Sequence, residues 1–149
     1  MTRGERTLWA MRTQLQFELA QIAAKVAQAT DRSTRAEHAV TAFGRQCDSC
    51  VAELRAAMDR SQLNPALLET LRRLHRLQRA ALRESQTTLA AARLHEQRAR
   101  EELAEARNRE LSVERALRSE QRKQLLAQQT LEFAVADDLW LERTWRQVS

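Results

Sequence analysis

Glycine and proline are nearly missing from this chain: 149 residues hold two of the first and one of the second. Reversals of the backbone draw on those two residues, so turns can occur at very few places. Tyrosine is absent and aromatics make up only 4%. The apolar fraction of 43% leans on alanine, which buries little area per residue. A thick globular core is therefore excluded, and a narrow seam between helices is expected instead. Cysteine occurs twice, at Cys47 and Cys50. That is too few for a disulfide framework and fits a reducing, cytoplasmic setting. No stretch reaches the roughly 18 apolar residues that a bilayer span requires, so no direct membrane insertion is expected. The opening Met-Thr-Arg-Gly-Glu-Arg leads into no apolar run, so no secretory signal is expected.

What the chain does contain is alanine, leucine, arginine, glutamate and glutamine, with 30% charged residues. This composition marks long helices or coiled coils. The net charge is +5, and its excess is arginine, since lysine occurs only as Lys25 and Lys123. Such a balance permits an acidic-protein or nucleic-acid partner without requiring one, because 20 acidic residues accompany it.

The single proline marks the one clear break. In Leu63-Asn64-Pro65, Asn64 is suited to cap free backbone N–H groups, and Pro65 is tolerated at a first helical position. The reading is all-α: helix 1 over about 5–60, a turn at 61–64, and a longer helix 2 over about 65–147. Gly44 inside helix 1 is a soft spot and not a stop.

Helix 1 repeats every seven residues through Leu8, Arg12, Leu15, Leu19, Ile22, Val26, Ala29, Ser33, Ala36, Val40, Phe43, Cys47, Cys50, Leu54 and Ala57. Helix 2 repeats through Leu68, Leu71, His75, Gln78, Leu82, Ser85, Leu89, Ala92, Glu96, Ala99, Leu103, Ala106, Glu110, Val113 and Leu117. Strict heptads keep one stripe facing a supercoiled partner. Doubling the chain back at the proline makes an antiparallel coiled-coil hairpin in which facing residue numbers add to about 125. Leu54 then meets Leu71, Phe43 meets Leu82, Ala36 meets Leu89, Ile22 meets Leu103 and Leu19 meets Ala106. The expected core is Leu19, Ile22, Phe43, Leu54, Leu71, Leu82, Leu89 and Leu103. Two mismatches put Glu110 against Leu15 and Glu96 against Ala29, with Glu110 within reach of Arg12. Pairing is expected to end near Leu8 and Leu117. Helix 2 then runs on alone for about 30 residues that include Phe133, Leu139, Trp140 and Trp145. An isolated helix does not carry so many large apolar groups without a use, so this overhang is the candidate binding segment.

Chemistry-bearing constellations are few. Cys47-Asp48-Ser49-Cys50 has C-x-x-C spacing, with His75 and Gln78 opposite in the folded register. That gives three potential metal ligands and no fourth, and no strand precedes the motif as a thioredoxin-type site needs. Small soft residues filling a seam are the simpler reading, and neither a metal nor a cofactor is expected. His38 and His95 fall on solvent-facing positions without catalytic partners. No phosphate loop or nucleophile elbow occurs, and a two-helix rod offers no enclosed pocket, so no catalytic residues and no enzyme are expected. Arg72, Arg76, Arg79 and Arg83 form one stripe near the hairpin tip, with Arg73 beside it. The stripe reads either as a solvated helix face or, functionally, as a docking surface for an acidic protein. A nucleic acid is a weaker fit because no aromatic interleaves with the arginines. Trp9, Trp140 and Trp145 all lie toward the termini, and tryptophan favours interface hot spots.

Chain size, the central break at Leu63-Asn64-Pro65, an Arg- and Gln-rich second helix, and Asp137-Asp138-Leu139-Trp140 followed by Arg143 and Arg146 together resemble the FliJ/YscO family. These are the central stalk proteins of type III secretion and flagellar export. The resemblance extends over the whole chain and rests on no sharp motif. The three tryptophans and the C-x-x-C pattern depart from what the family shares. It implies a non-enzymatic two-helix stalk that links a hexameric export ATPase to the membrane export gate and promotes ATPase assembly or activity. Secretion chaperones are further implied partners, and the implied location is the cytoplasmic base of a membrane-bound secretion apparatus. Carried over, Phe133–Trp145 faces the ATPase and the Arg72–Arg83 stripe faces the gate. A self-assembling structural or adaptor coiled coil is the alternative reading, and a nucleic-acid binder is a weaker one.

Overall fold

The structure, a computed structural model, describes residues 1–148. Two α-helices account for nearly all of them: α1 over Arg3–Met58 and α2 over Pro65–Val148. The described residues include no strand. The chain is a helical hairpin whose second helix is the longer. Each boundary has a local cause. Asn64 Oδ1 accepts from the backbone N–H of Ala66 at 3.2 Å and of Leu67 at 3.3 Å, and Pro65 takes the first helical position. Both groups would otherwise lack partners at a helix start. At the other N-terminus, Thr2 Oγ1 accepts from the N–H of Glu5 at 3.2 Å, so α1 begins at Arg3, two residues before the expected start. It ends at Met58, two residues before the expected end, and bends occupy 59–62.

By contact the chain divides into two compact units, Gln21–Leu103 and Met1–Ala20 with the chain from Ala104 onward. In the first, Ile22, Ala29, Ser33, Ala36, Cys47, Cys50 and Ala57 are buried on α1. Leu71, Ser85, Leu89, Ala92 and Ala99 are buried on α2. All are seam positions of the two heptads. Ala36, Leu89 and Ala92 cluster with Val40 against them, in the expected register. Phe43, Leu54, Leu82 and Leu103 are half-buried. Two helices meet along one line only, so a large side chain is covered on its inner side while its flank meets water. Alanine is short enough to be covered completely, which is why the most buried positions are small. Gly44 is half-buried within α1, and a methyl added there would touch nothing within 4 Å.

In the second unit Ala106 is fully buried, and Val113 and Leu117 nearly so. Leu8, Leu15 and Leu19 are half-buried on α1. Arg12 pairs with Glu114 at 3.7 Å and lays its guanidinium over the Trp9 ring, 5.0 Å from the centroid. The expected Glu110 partner is not used. Glu114 lies one helical turn further along the flank that Arg12 faces, and the Trp9 ring fixes the arginine there.

Pairing also continues beyond Leu8 and Leu117, where it was expected to stop. Glu5 is buried, and Gln124 Nε2 donates to Glu5 Oε2 at 2.9 Å and to Thr2 Oγ1 at 3.1 Å. A polar layer therefore closes this end of the seam. The unpaired part of α2 begins at Leu125, which makes it 24 residues long rather than about 30.

Candidate interaction surfaces

The unpaired segment of α2 is exposed throughout except at Thr144. Its large apolar residues include Leu131 at 67%, Phe133 at 71%, Trp140 at 65% and Trp145 at 74% exposure. Successive residues of a helix turn by about 100°. Leu126, Phe133 and Trp140, seven apart, share one side. Leu131, Val135 and Leu139, four apart, climb a second side and line a shallow apolar depression with Gln128, Glu132 and Ala136. Leu141, Trp145 and Val148 occupy a third. The segment therefore carries large apolar residues around its whole circumference, whereas the paired part of the same helix buries its seam stripe and exposes only scattered ones, at Leu74, Leu77, Leu94 and Leu111. Helices that are hydrophobic all round are normally enclosed by other protein. Of the expected binding residues, Phe133, Leu139, Trp140 and Trp145 all belong to this segment and all are exposed.

Arg72, Arg76, Arg79 and Arg83 are likewise exposed on α2. Glu69 pairs with Arg73 at 3.4 Å and with Arg76 at 3.6 Å. Among the described residues, the guanidinium groups of Arg72, Arg79 and Arg83 have no ion-pair or hydrogen-bond partner. The heptad explains this for Arg72 and Arg79. Glu37 and Arg93 hold equivalent flanking positions and bridge the two helices at 3.0 Å. Moving toward the turn in seven-residue steps replaces Glu37 by Gly44, Val51 and Met58, while α2 presents Gln86, Arg79 and Arg72. The acidic half of the pattern stops and the basic half continues.

The seam around the cysteines is its least well satisfied part. Cys47 and Cys50 are free thiols and buried. The Cys50 thiol donates to the Leu71 carbonyl at 3.5 Å. Burial pushes its pKa above the ordinary thiol value, and the nearby charges of Glu53 and Cys47 push the same way. His75 Nδ1 and Gln78 Oε1 are buried without hydrogen-bond partners. Among the described residues, no group of three or more His, Cys, Asp or Glu side chains is arranged to hold a metal ion. Glu96, expected as a mismatch against Ala29, is satisfied at its carboxylate: Thr30 Oγ1 donates to it at 3.3 Å and Arg100 pairs with it at 2.6 Å. His38 and His95 are exposed. His95 lines a cleft of about 440 Å³ with Lys25, Arg32, Arg98 and Glu102 over a floor of Ala29 and Ala99. No described helix is long and apolar enough to cross a membrane.

The polar closure of the seam by Thr2, Glu5 and Gln124 is the feature that heptad reading passed over. Its signal was a Thr-x-x-Glu spacing at the start of α1, the pattern of a capped helix N-terminus. Comparison of the chain with protein-family models, with curated proteins and with solved structures finds no match.

Proposed function

We propose that this protein is a non-enzymatic central stalk, of the kind the FliJ/YscO resemblance implies. In this reading it links a hexameric type III export ATPase to an export gate in the membrane and promotes assembly or turnover of the ATPase. The observation that carries it is the apolar circumference of residues 125–148. A flat partner covers one side of a helix, and a second hairpin zipped alongside covers little more. A ring that surrounds the helix covers every side, so the pore of a hexamer fits this segment better than a groove does. The Arg72–Arg83 stripe supplies a chemically different surface for a second partner, here the gate. Secretion chaperones compete for the same exposed segments, and the working location is the cytoplasmic base of the secretion apparatus.

The test is direct. The purified chain, added to the export ATPase encoded in the same organism, is expected to co-purify with the hexamer and to raise its rate of ATP hydrolysis. Absence of both effects refutes the stalk reading.

One observation favours a structural coiled coil as the second reading. The α2 heptad continues without a stutter past the polar layer, through Ala127, Leu131, Ala134, Asp138, Leu141, Trp145 and Val148, with Asp138 its one charged position. A continued seam is what a homodimer zipped through its overhangs would use. A stable closed dimer in solution, with no effect on the ATPase, decides for it.

A further inference from the structure

The two exposed surfaces of α2 are complementary to each other. From Leu131 to Glu142 the helix carries Glu132, Asp137, Asp138 and Glu142 and no basic residue. From Arg72 to Arg83 it carries five arginines and no acidic residue. At 1.5 Å of rise per residue, each charged stretch is about 15 Å long. Both stretches mix charge with exposed apolar side chains. In the basic stretch the exposed Leu77 lies one turn from Arg73, on a different side of α2 from Arg72, Arg79 and Arg83, and among the acids the exposed apolar residues are Leu131, Val135 and Leu139. Among the described residues, Arg72, Arg79 and Arg83 have no partner, so their charge is not already neutralised there.

We infer that the arginine stripe is a docking surface for the acidic apolar segment Leu131–Glu142 of a second copy of this chain. A continuous helix does not pack against itself, and α2 carries both segments, so the occupant comes from another molecule. The contact joins unlike surfaces and is heterologous. Each molecule bound through its overhang still offers a free arginine stripe, and association continues beyond a dimer unless the rotation closes a ring. Opposite charge supplies the attraction, with Leu131, Val135 and Leu139 adding apolar contact from the acidic side. The charges set which surfaces meet and make the contact sensitive to salt. The inference is independent of the stalk reading, since it uses only surfaces present on this chain.

Sedimentation velocity over a range of micromolar concentrations tests it with the full chain. The average mass is expected to rise with concentration past that of a dimer and to fall as salt is added. The triple variant Arg72→Glu, Arg79→Glu, Arg83→Glu, at exposed positions, should keep its helical circular dichroism and need about tenfold higher concentration to associate. A second triple variant, Glu132→Lys, Asp137→Lys, Asp138→Lys, should be weakened alike. Mixing the two variants restores association, because the acidified stripe of one meets the basic segment of the other. A chain that stays monomeric, a closed dimer indifferent to charge reversal at the stripe, or a mixture no more associated than its components would each overturn the inference. The mixing experiment keeps the test intact if either variant alone is altered for another reason.

Discussion

Gly44 sits in the middle of a 56-residue helix with open space where its side chain would be. Nothing there requires a glycine, so its effect is the entropic cost of an unbranched backbone in a helix interior. Gly44→Ala is expected to raise the stability of the hairpin by up to about 1 kcal/mol, read as a higher midpoint in urea. Cys50 differs in kind, because its chemistry is set by burial. Its raised pKa means the folded chain holds the thiol proton more tightly than the unfolded chain does. The associated stability is complete below the ordinary thiol pKa and is lost as pH rises through the folded value. Urea midpoints should therefore decline above the ordinary thiol range, and Cys50→Ala should flatten that decline. Alkylation at mildly alkaline pH should be slower for the native protein than in denaturant, where the thiol is free to ionise. A reactivity unchanged by unfolding would contradict the burial of this residue.

Element by element, the heptads made most of the hairpin legible. Ala36, Cys47, Cys50, Leu71, Leu89, Ala92 and Ala106 are buried where a seven-residue repeat folded at Pro65 puts them. A period of seven names the stripe, and one proline names the fold point, so little else is needed. What the period could not convey was degree. Leu82 and Leu89 are equivalent in the repeat, yet Leu82 is half-buried and Leu89 is buried, because coverage depends on the neighbours across the seam. Leu89→Ala is accordingly expected to cost about 2–4 kcal/mol, and Leu82→Ala clearly less, by chemical denaturation. Equal costs would mean that seam position alone decides. The partner of Arg12 was missed for a related reason: a heptad gives the facing turn but not which of two carboxylates a long side chain selects. The buried Glu5 layer was missed because a charged residue in a seam reads as its end, whereas Gln124 and Thr2 supply the hydrogen bonds that let it be enclosed. The candidate site was legible as an apolar overhang with tryptophans. Its apolar circumference depends on knowing that helix 2 continues unbroken to Val148.

For the molecule as a whole, the exposed tryptophans separate folding from function. Trp140→Ala with Trp145→Ala removes large apolar area from a segment that lies past the closed end of the seam. Helical circular dichroism and the unfolding midpoint should barely change, while the stalk proposal expects co-purification with the export ATPase to be lost. A large loss of stability would mean that these rings belong to a core. If self-association and ring binding both occur, they draw on one overhang, and adding the hexamer should shift the sedimentation of the free chain toward smaller species. The same chain would then be kept in reserve by its own copies until a ring becomes available.

The enclosed Glu5 bears on how the two strands of the hairpin are kept in step. A slip of seven residues keeps the two stripes facing each other, since both helices repeat with that period. A carboxylate that finds its donor only at Gln124 opposes such a slip: displaced by one repeat, it is left without that partner in a dry setting. Glu5 thus acts as a detent on an otherwise smooth slide, and it fixes how much of α2 projects for anything else to grip.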